Sequence, residues 1–154
     1  MIDSIDADFL RQAIDVSREA LASMTCFSVG AVLVDKDRNF ISNGFTQELG
    51  EGWHAEAVAI KKAIDTGFDP KGGTIYSSME PCSVRASGKG DCSTLLIEKE
   101  IARVVFAFKE PPTFVIGEGK KKVEAAGIVV EQISDFEDAV IEINKHLLPS
   151  KSSI

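Results

Sequence analysis

The sequence predicts an α/β fold, a three-layer α/β/α sandwich formed by one domain. Three observations lead there. Helical and strand-like segments alternate along the chain, several strand segments are apolar throughout, and 154 residues are one domain's worth of sequence. A strand that is apolar on both faces needs helices on both sides of its sheet.

The first element is a helix over residues 6–23. Phe9, Ala13, Val16 and Ala20 form one apolar stripe, with Leu10, Ile14, Ser17 and Leu21 beside it. Residues 29–34 form an apolar strand. The Asp35-Lys36-Asp37-Arg38-Asn39 segment turns the chain into a second strand over 40–45. Residues 54–66, rich in Ala with Val58, Ile60 and Ile64, form a helix that Gly67 stops. A strand follows over 74–79, a short helix over 94–100, a strand over 104–108, a helix over 120–126 and a strand over 128–131. The last helix spans 135–148, with Phe136, Val140, Ile143 and Leu147 on its apolar stripe. Residues 1–149 are thus read as the domain and 150–154 as a flexible tail.

Composition excludes several functions. Lys and Arg number 17 against 24 Asp and Glu, a formal charge of -7. Nucleic-acid binding depends on basic surface that neutralises phosphates, so no nucleic-acid partner is expected. No apolar run approaches the ~20 residues that span a bilayer, and no membrane partner is expected. Residues 1–9 carry three aspartates and no basic residue, unlike a signal peptide. Three cysteines are an odd number for a disulfide framework, and a reducing, cytoplasmic location fits them better.

Two motifs carry chemistry. His54-Ala55-Glu56 opens a helix; Glu80-Pro81-Cys82 follows a strand, and Cys92 follows Cys82 with nine residues intervening. One imidazole and two thiolates (His54, Cys82 and Cys92) make a three-ligand set for Zn2+ and leave a fourth position for water, as a catalytic site requires. Glu56 is the expected catalytic residue, a carboxylate beside the metal that moves protons without ligating it. An H-x-E followed by P-C and a second Cys is the pattern of zinc deaminases, usually with two residues between the cysteines. The wider gap here implies a loop over 83–91, with Gly88 and Gly90 for flexibility and Arg85 and Lys89 for charge.

Other features have plainer readings. Cys26 reads as a small core residue, and His146 as a helix-end residue. Lys120-Lys121-Lys122 reads as a solvated helix face. Gly117-Glu118-Gly119-Lys120 lacks phosphate-loop spacing and reads as a turn. Trp53 is either packing or a pocket wall, and Arg85 either an anion contact or a solvated loop residue.

The stretch from Phe27 to Val130 resembles the cytidine deaminase superfamily. Phe27-Ser28-Val29-Gly30-Ala31-Val32-Leu33 is similar to its first strand, and His54-Ala55-Glu56 with Pro81-Cys82 and Cys92 to its metal site. Within that superfamily, several segments are most similar to the fungal-type riboflavin-pathway pyrimidine deaminases. They are Gly44 to Leu49, Met79 to Gly88, Glu110 to Val115 and Ala126-Gly127-Ile128. The resemblance implies a five-stranded mixed sheet and hydrolysis of an amino group on a diaminopyrimidinone that carries a ribityl or ribosyl phosphate. It also implies a homodimer or higher homo-oligomer. By the same resemblance Phe27, Asn43, Thr46 and Glu48 are assigned to the base, Arg85, Ser87 and Lys89 to the phosphate-bearing tail, and Ala55 to substrate binding.

Bacterial bifunctional relatives carry paired histidines and Gly-Arg between the cysteines, where this chain has Val84-Arg85-Ala86-Ser87-Gly88. They also carry a reductase domain, for which 154 residues leave no room, so a reductase is expected as a separate protein. The alternative substrate class is cytosine, a cytosine nucleoside or nucleotide, or another free aminated base. A nucleic-acid editing enzyme conflicts with the acidic balance. A zinc-stabilised interaction module conflicts with Glu56 and with the absence of an evident fourth ligand.

Overall fold

The computed structural model describes residues 2–81, 92–109 and 119–148. Helix α1 (Ser4–Ser17) leads into strands β1 (Gly30–Val34) and β2 (Phe40–Phe45). Helix α2 (Ala55–Asp65), β3 (Thr74–Met79), α3 (Cys92–Glu98), β4 (Arg103–Phe108), α4 (Gly119–Ala125) and β5 (Val129–Gln132) follow. A short 3-10 turn over Ser134–Phe136 then precedes α5 (Glu137–Ile143).

One five-stranded sheet has the order β2-β1-β3-β4-β5. Strand β1 is antiparallel to β2 and β3, while β3, β4 and β5 run parallel, so the sheet is mixed. The expected element order and three layers are present. In β1, Ala31 and Leu33 join α2, α3 and α4 in one core; Val32 and Val34 join α1 and α5 in the other. All five β1 residues are buried, which is why this strand reads as an unbroken apolar run.

Two glycines let the layers close. A Cβ on Gly30 would lie 1.9 Å from the Ala13 carbonyl oxygen, so α1 sits directly on β1. A Cβ on Gly44 would lie 2.6 Å from the Ala55 carbonyl oxygen and 2.7 Å from Val58 Cβ. Any larger residue there would push the start of α2 off the sheet.

Both outer helices are shorter than expected. Helix α1 starts on an Asp3 cap, with Asp3 and Asp6 forming a reciprocal capping box, and ends at Ser17. Arg18, Glu19 and Ala20 continue only as i to i+3 turns, which leaves Leu21 92% exposed. The buried stripe of α1 is Asp6, Leu10, Ala13, Ile14 and Ser17. Helix α5 stops at Ile143 because the next residue, Asn144, turns its side chain inward. Asn144 Oδ1 accepts from the Ser28 N–H at 2.7 Å, and Nδ2 donates to the Ser28 carbonyl at 3.2 Å. His146 follows in the turn, its Nε2 2.9 Å from the Ser23 carbonyl oxygen.

A buried charge network was not anticipated from the sequence. Asp6 is fully buried, and Arg103 donates to it from Nη1 at 2.7 Å and from Nη2 at 2.8 Å. The Tyr76 hydroxyl at 2.6 Å and Arg38 Nη2 at 2.7 Å complete the set. Arg103 Nε also donates to Glu131 at 2.8 Å. Burial alone would raise the Asp6 pKa, but bonds from Arg103, Tyr76, the Asp3 N–H and Arg38 outweigh it and hold the carboxyl far below its usual range. Burial, with Asp6 as its partner, pushes the Tyr76 phenol well above its usual value.

Candidate active site

The carboxyl ends of β3 and β4, the beginning of β1 and the end of β2 meet at one end of the sheet. The first turn of α2 lies there as well, packed on β2 through Gly44. In α/β folds ligands bind beyond the carboxyl ends of parallel strands, near the point where the strand order reverses.

His54 is the residue just before α2, with extended backbone angles (φ -86, ψ 154) and no side-chain capping bond. Its imidazole is directed at α3 instead: Nδ1 lies 3.1 Å from the Sγ of Cys92. Cys92 is fully buried as the first residue of α3, two positions earlier than the helix start expected from sequence. Nitrogen and sulfur on one tetrahedral zinc would lie ~3.5 Å apart. The observed pair fits one ion after a shift of a few tenths of an ångström. The third expected ligand, Cys82, falls outside the described residues, as do Arg85, Ser87 and Lys89. Among the described residues no trio of His, Cys, Asp or Glu donors gathers about one point.

Glu56 lies in the first turn of α2 and is 3% exposed. The Ser77 hydroxyl, fully buried on β3, lies 3.4 Å from its Oε1 and donates to it. Ser77 pairs with Ala31 across the sheet, and the neighbouring Ser78 hydroxyl accepts from the Gly30 N–H at 3.1 Å. Residues two apart do not share a face within a helix. Here His54 precedes the helix and Glu56 belongs to it, so the turn itself separates the imidazole from the carboxylate. Ala55 between them is fully buried in the α2 core.

The remaining assigned residues occupy different situations. Phe27 is 3% exposed, and its carbonyl accepts from the Thr46 hydroxyl at 3.0 Å. The same Thr46 oxygen accepts the Val29 N–H at 2.8 Å, so Thr46 holds the segment that carries Phe27 into β1. Asn43 and Glu48 both bond to Lys62 of α2. Lys62 Nζ donates to Glu48 Oε2 at 2.8 Å and to Asn43 Oδ1 at 3.3 Å. Cys26 differs from the core reading: it is half-buried and accepts from Gln47 Nε2 at 3.1 Å. Lys122 also departs from a solvated face, because Nζ reaches the Thr94 hydroxyl at 2.6 Å. Glu80, 4% exposed at the end of β3, accepts the Lys120 N–H at 3.2 Å and so links β3 to the start of α4.

Sequence reasoning missed Ser77, Lys62 and Asn144. Ser77 is one of two adjacent serines inside β3, and its register beside Ala31 of β1 points it toward α2. Lys62 carried a weaker signal, a cation six positions after Glu56 and within reach of Glu48 only once the chain folds back.

A mixed α/β/α sandwich with imidazole, thiol and a buried carboxylate at one sheet end has the layout of a metal-dependent hydrolase. The chain belongs to the family described as the cytidine and deoxycytidylate deaminase zinc-binding region, whose model matches residues 3–108. A diaminohydroxyphosphoribosylamino-pyrimidine deaminase of Schizosaccharomyces pombe is 33% identical over 133 residues, which cover 85% of this chain and 33% of that protein. This chain therefore spans about a third of that curated relative. The crystal structure of the Aspergillus oryzae Rib2 deaminase, a C-terminal deletion mutant, superposes with a TM-score of 0.83 at 26% identity, over 97% of this chain and 95% of that one. The same enzyme in complex with DARIPP gives 0.82 at 26% identity, over 95% and 93% of the two chains. The expected five-stranded fold, the superfamily and zinc as its metal agree with these findings. No helix among the described residues is long and apolar enough to cross a membrane.

Proposed function

We propose that this protein is a zinc-dependent hydrolytic deaminase of an aminated pyrimidine, a riboflavin-pathway diaminopyrimidinone bearing a ribityl or ribosyl phosphate. The 3.1 Å approach of His54 Nδ1 to Cys92 Sγ, two residues from a buried carboxylate, carries this reading. Support for the substrate class comes from the fission-yeast relative's name and from the fungal enzyme solved with DARIPP.

His54, Cys82 and Cys92 would hold the zinc. When bound, it supplies Lewis-acid activation of the attacking water. Glu56 takes a proton from that water and delivers it to the ring nitrogen beside the attacked carbon. It then moves a proton to the departing amine, so the C–N bond breaks, ammonia leaves and a carbonyl remains. Burial keeps Glu56 away from bulk water, and Ser77 steadies the oxygen it faces. Phe27, held by Thr46, walls the base side, and Arg85, Ser87 and Lys89 take the phosphate-bearing tail. The enzyme works in the cytoplasm, in keeping with its acidic composition and odd cysteine count. It works as a homo-oligomer, a reading supported by exposed Leu21, Met24 and Phe68; a monomeric mass in sedimentation would remove that last assignment.

Ammonia release tests the substrate. Turnover is expected with the diaminopyrimidinone phosphate and not with cytidine, deoxycytidylate, cytosine, guanine or adenosine. Turnover of one of these five alone would move the protein to the alternative substrate class.

A further inference from the structure

We propose that Lys62 is a positioning residue for the metal site, acting through Glu48 on the loop that delivers His54. This rests on the deaminase reading above and assigns Glu48 and Asn43 to a clamp instead of to the base.

The loop between β2 and α2 is tightly tied. Gln47 N–H donates to the Trp53 carbonyl at 2.7 Å and closes it at its base. Gly50 N–H donates to the Gln47 carbonyl at 3.1 Å, and Trp53 N–H to the Gly50 carbonyl at 3.3 Å. Gln47 adopts a left-handed backbone (φ 63), a conformation that costs a residue with a Cβ roughly 1 kcal/mol. Something must hold the loop in that shape. His54 comes directly after it, so a shift of the loop shifts the imidazole.

Glu48 anchors this loop at two points. Its Oε1 accepts the Phe45 N–H at 3.3 Å, at the end of β2, and its Oε2 accepts from Lys62 at 2.8 Å. Lys62 lies in the last turn of α2, whose opposite end receives the chain from His54. The helix therefore grips the loop that feeds its own N-terminus. The second acceptor, Asn43 Oδ1 at 3.3 Å, fixes the ammonium against β2. Lys62 and Glu48 retain only 35% and 21% side-chain exposure, so the pair is partly withdrawn from solvent. Two of the three polar side chains that resemblance assigns to the base, Asn43 and Glu48, are thus engaged by one lysine.

The test is zinc affinity, measured by chelator competition on the full chain, alongside kcat, KM and melting temperature. Lys62→Met and Glu48→Gln are each expected to weaken zinc binding about tenfold, the low end for residues supporting a metal ligand. Lys62→Arg is expected to stay within about threefold of the parent. The double variant Lys62→Met/Glu48→Gln should be no worse than the poorer single, because the two act as one unit. Wild-type zinc affinity in Lys62→Met would overturn the proposal, as would additive losses in the double variant. A melting loss that accounts for the whole zinc effect would also overturn it, by making Lys62 merely structural. If the parent protein neither binds zinc nor releases ammonia, the deaminase reading itself fails; a competent parent with an indifferent Lys62→Met sinks only the clamp.

Discussion

Asp6 and Glu56 are both buried carboxylates, toward opposite ends of the sheet, and their surroundings set them apart. Asp6 is enclosed by two guanidinium groups, a phenol and a backbone N–H, with side-chain bonds of 2.6–2.8 Å. Glu56 is faced by a neutral hydroxyl at 3.4 Å and lies two residues from an imidazole that is 3.1 Å from a thiol. Short charge-assisted bonds fix the first group in its ionised form and remove it from chemistry. A carboxylate placed beside a neutral hydroxyl and next to an imidazole–thiol pair is suited to taking up and releasing a proton during a reaction. Burial alone thus does not mark a catalytic acid; the charge and closeness of its neighbours decide.

The largest test of this contrast is Glu56→Gln. Ammonia release is expected to fall about a thousandfold, the middle of the range for general acid–base groups. Zinc content, measured by metal analysis, and the melting temperature should both be retained. An active Glu56→Gln protein would erase the distinction between the two carboxylates.

Asp6→Asn should behave in the opposite way. It leaves Arg103 and Arg38 without their buried anion and should cost about 3 kcal/mol of stability, lowering the melting midpoint by roughly 6–12 °C. Turnover at 25 °C should stay within about twofold of the parent. The same group predicts the pH response. Its folded pKa is depressed, so its stabilisation is full above the ordinary carboxylate pKa of ~4 and is lost as pH falls through the lower folded value. Melting midpoints of the parent should fall steeply below about pH 4, and those of Asp6→Asn more gently. Parallel acid profiles would show that Asp6 contributes nothing to acid sensitivity.

The smallest effect is expected from Ser77→Ala. Removing a long hydrogen bond from an uncharged donor should lower kcat roughly threefold and leave KM alone. Ser77→Thr, which keeps the hydroxyl, should recover most of the loss. A change in KM alone would place Ser77 in binding instead.

The sequence made one of these regions legible and left the other obscure, for physical reasons. His54, Glu56 and Cys92 announce themselves because zinc chemistry permits few residue types and the chain supplies them in compact motifs. Strand limits were also readable: residues 40–45 and 74–79 match the observed β2 and β3, and the apolar run over 29–34 reflects the two-sided burial of β1. Asp6 was hidden by its charge. It continues the buried stripe of Leu10, Ala13, Ile14 and Ser17 one turn earlier, and an acidic residue in a helical stripe reads as solvent-facing until its partners are known. Those partners, Arg38, Tyr76 and Arg103, lie 32, 70 and 97 residues away, and no local periodicity reports them. The early end of α5 has the same origin. Asn144 stops the helix to meet Ser28, and an amphipathic pattern that runs on to Leu147 gives no hint of it.

That meeting has a consequence for how the molecule comes into being. Asn144 brackets both backbone groups of Ser28 across 116 positions, so a nascent polypeptide cannot secure the segment beside Phe27 until almost all of these residues have left the ribosome. Contacts this distant along the chain form slowly, because the intervening polymer must first be gathered. The segment beside Phe27 is therefore among the last parts to set, and a protein shortened before Asn144 would carry its His54-Ala55-Glu56 motif without that segment secured.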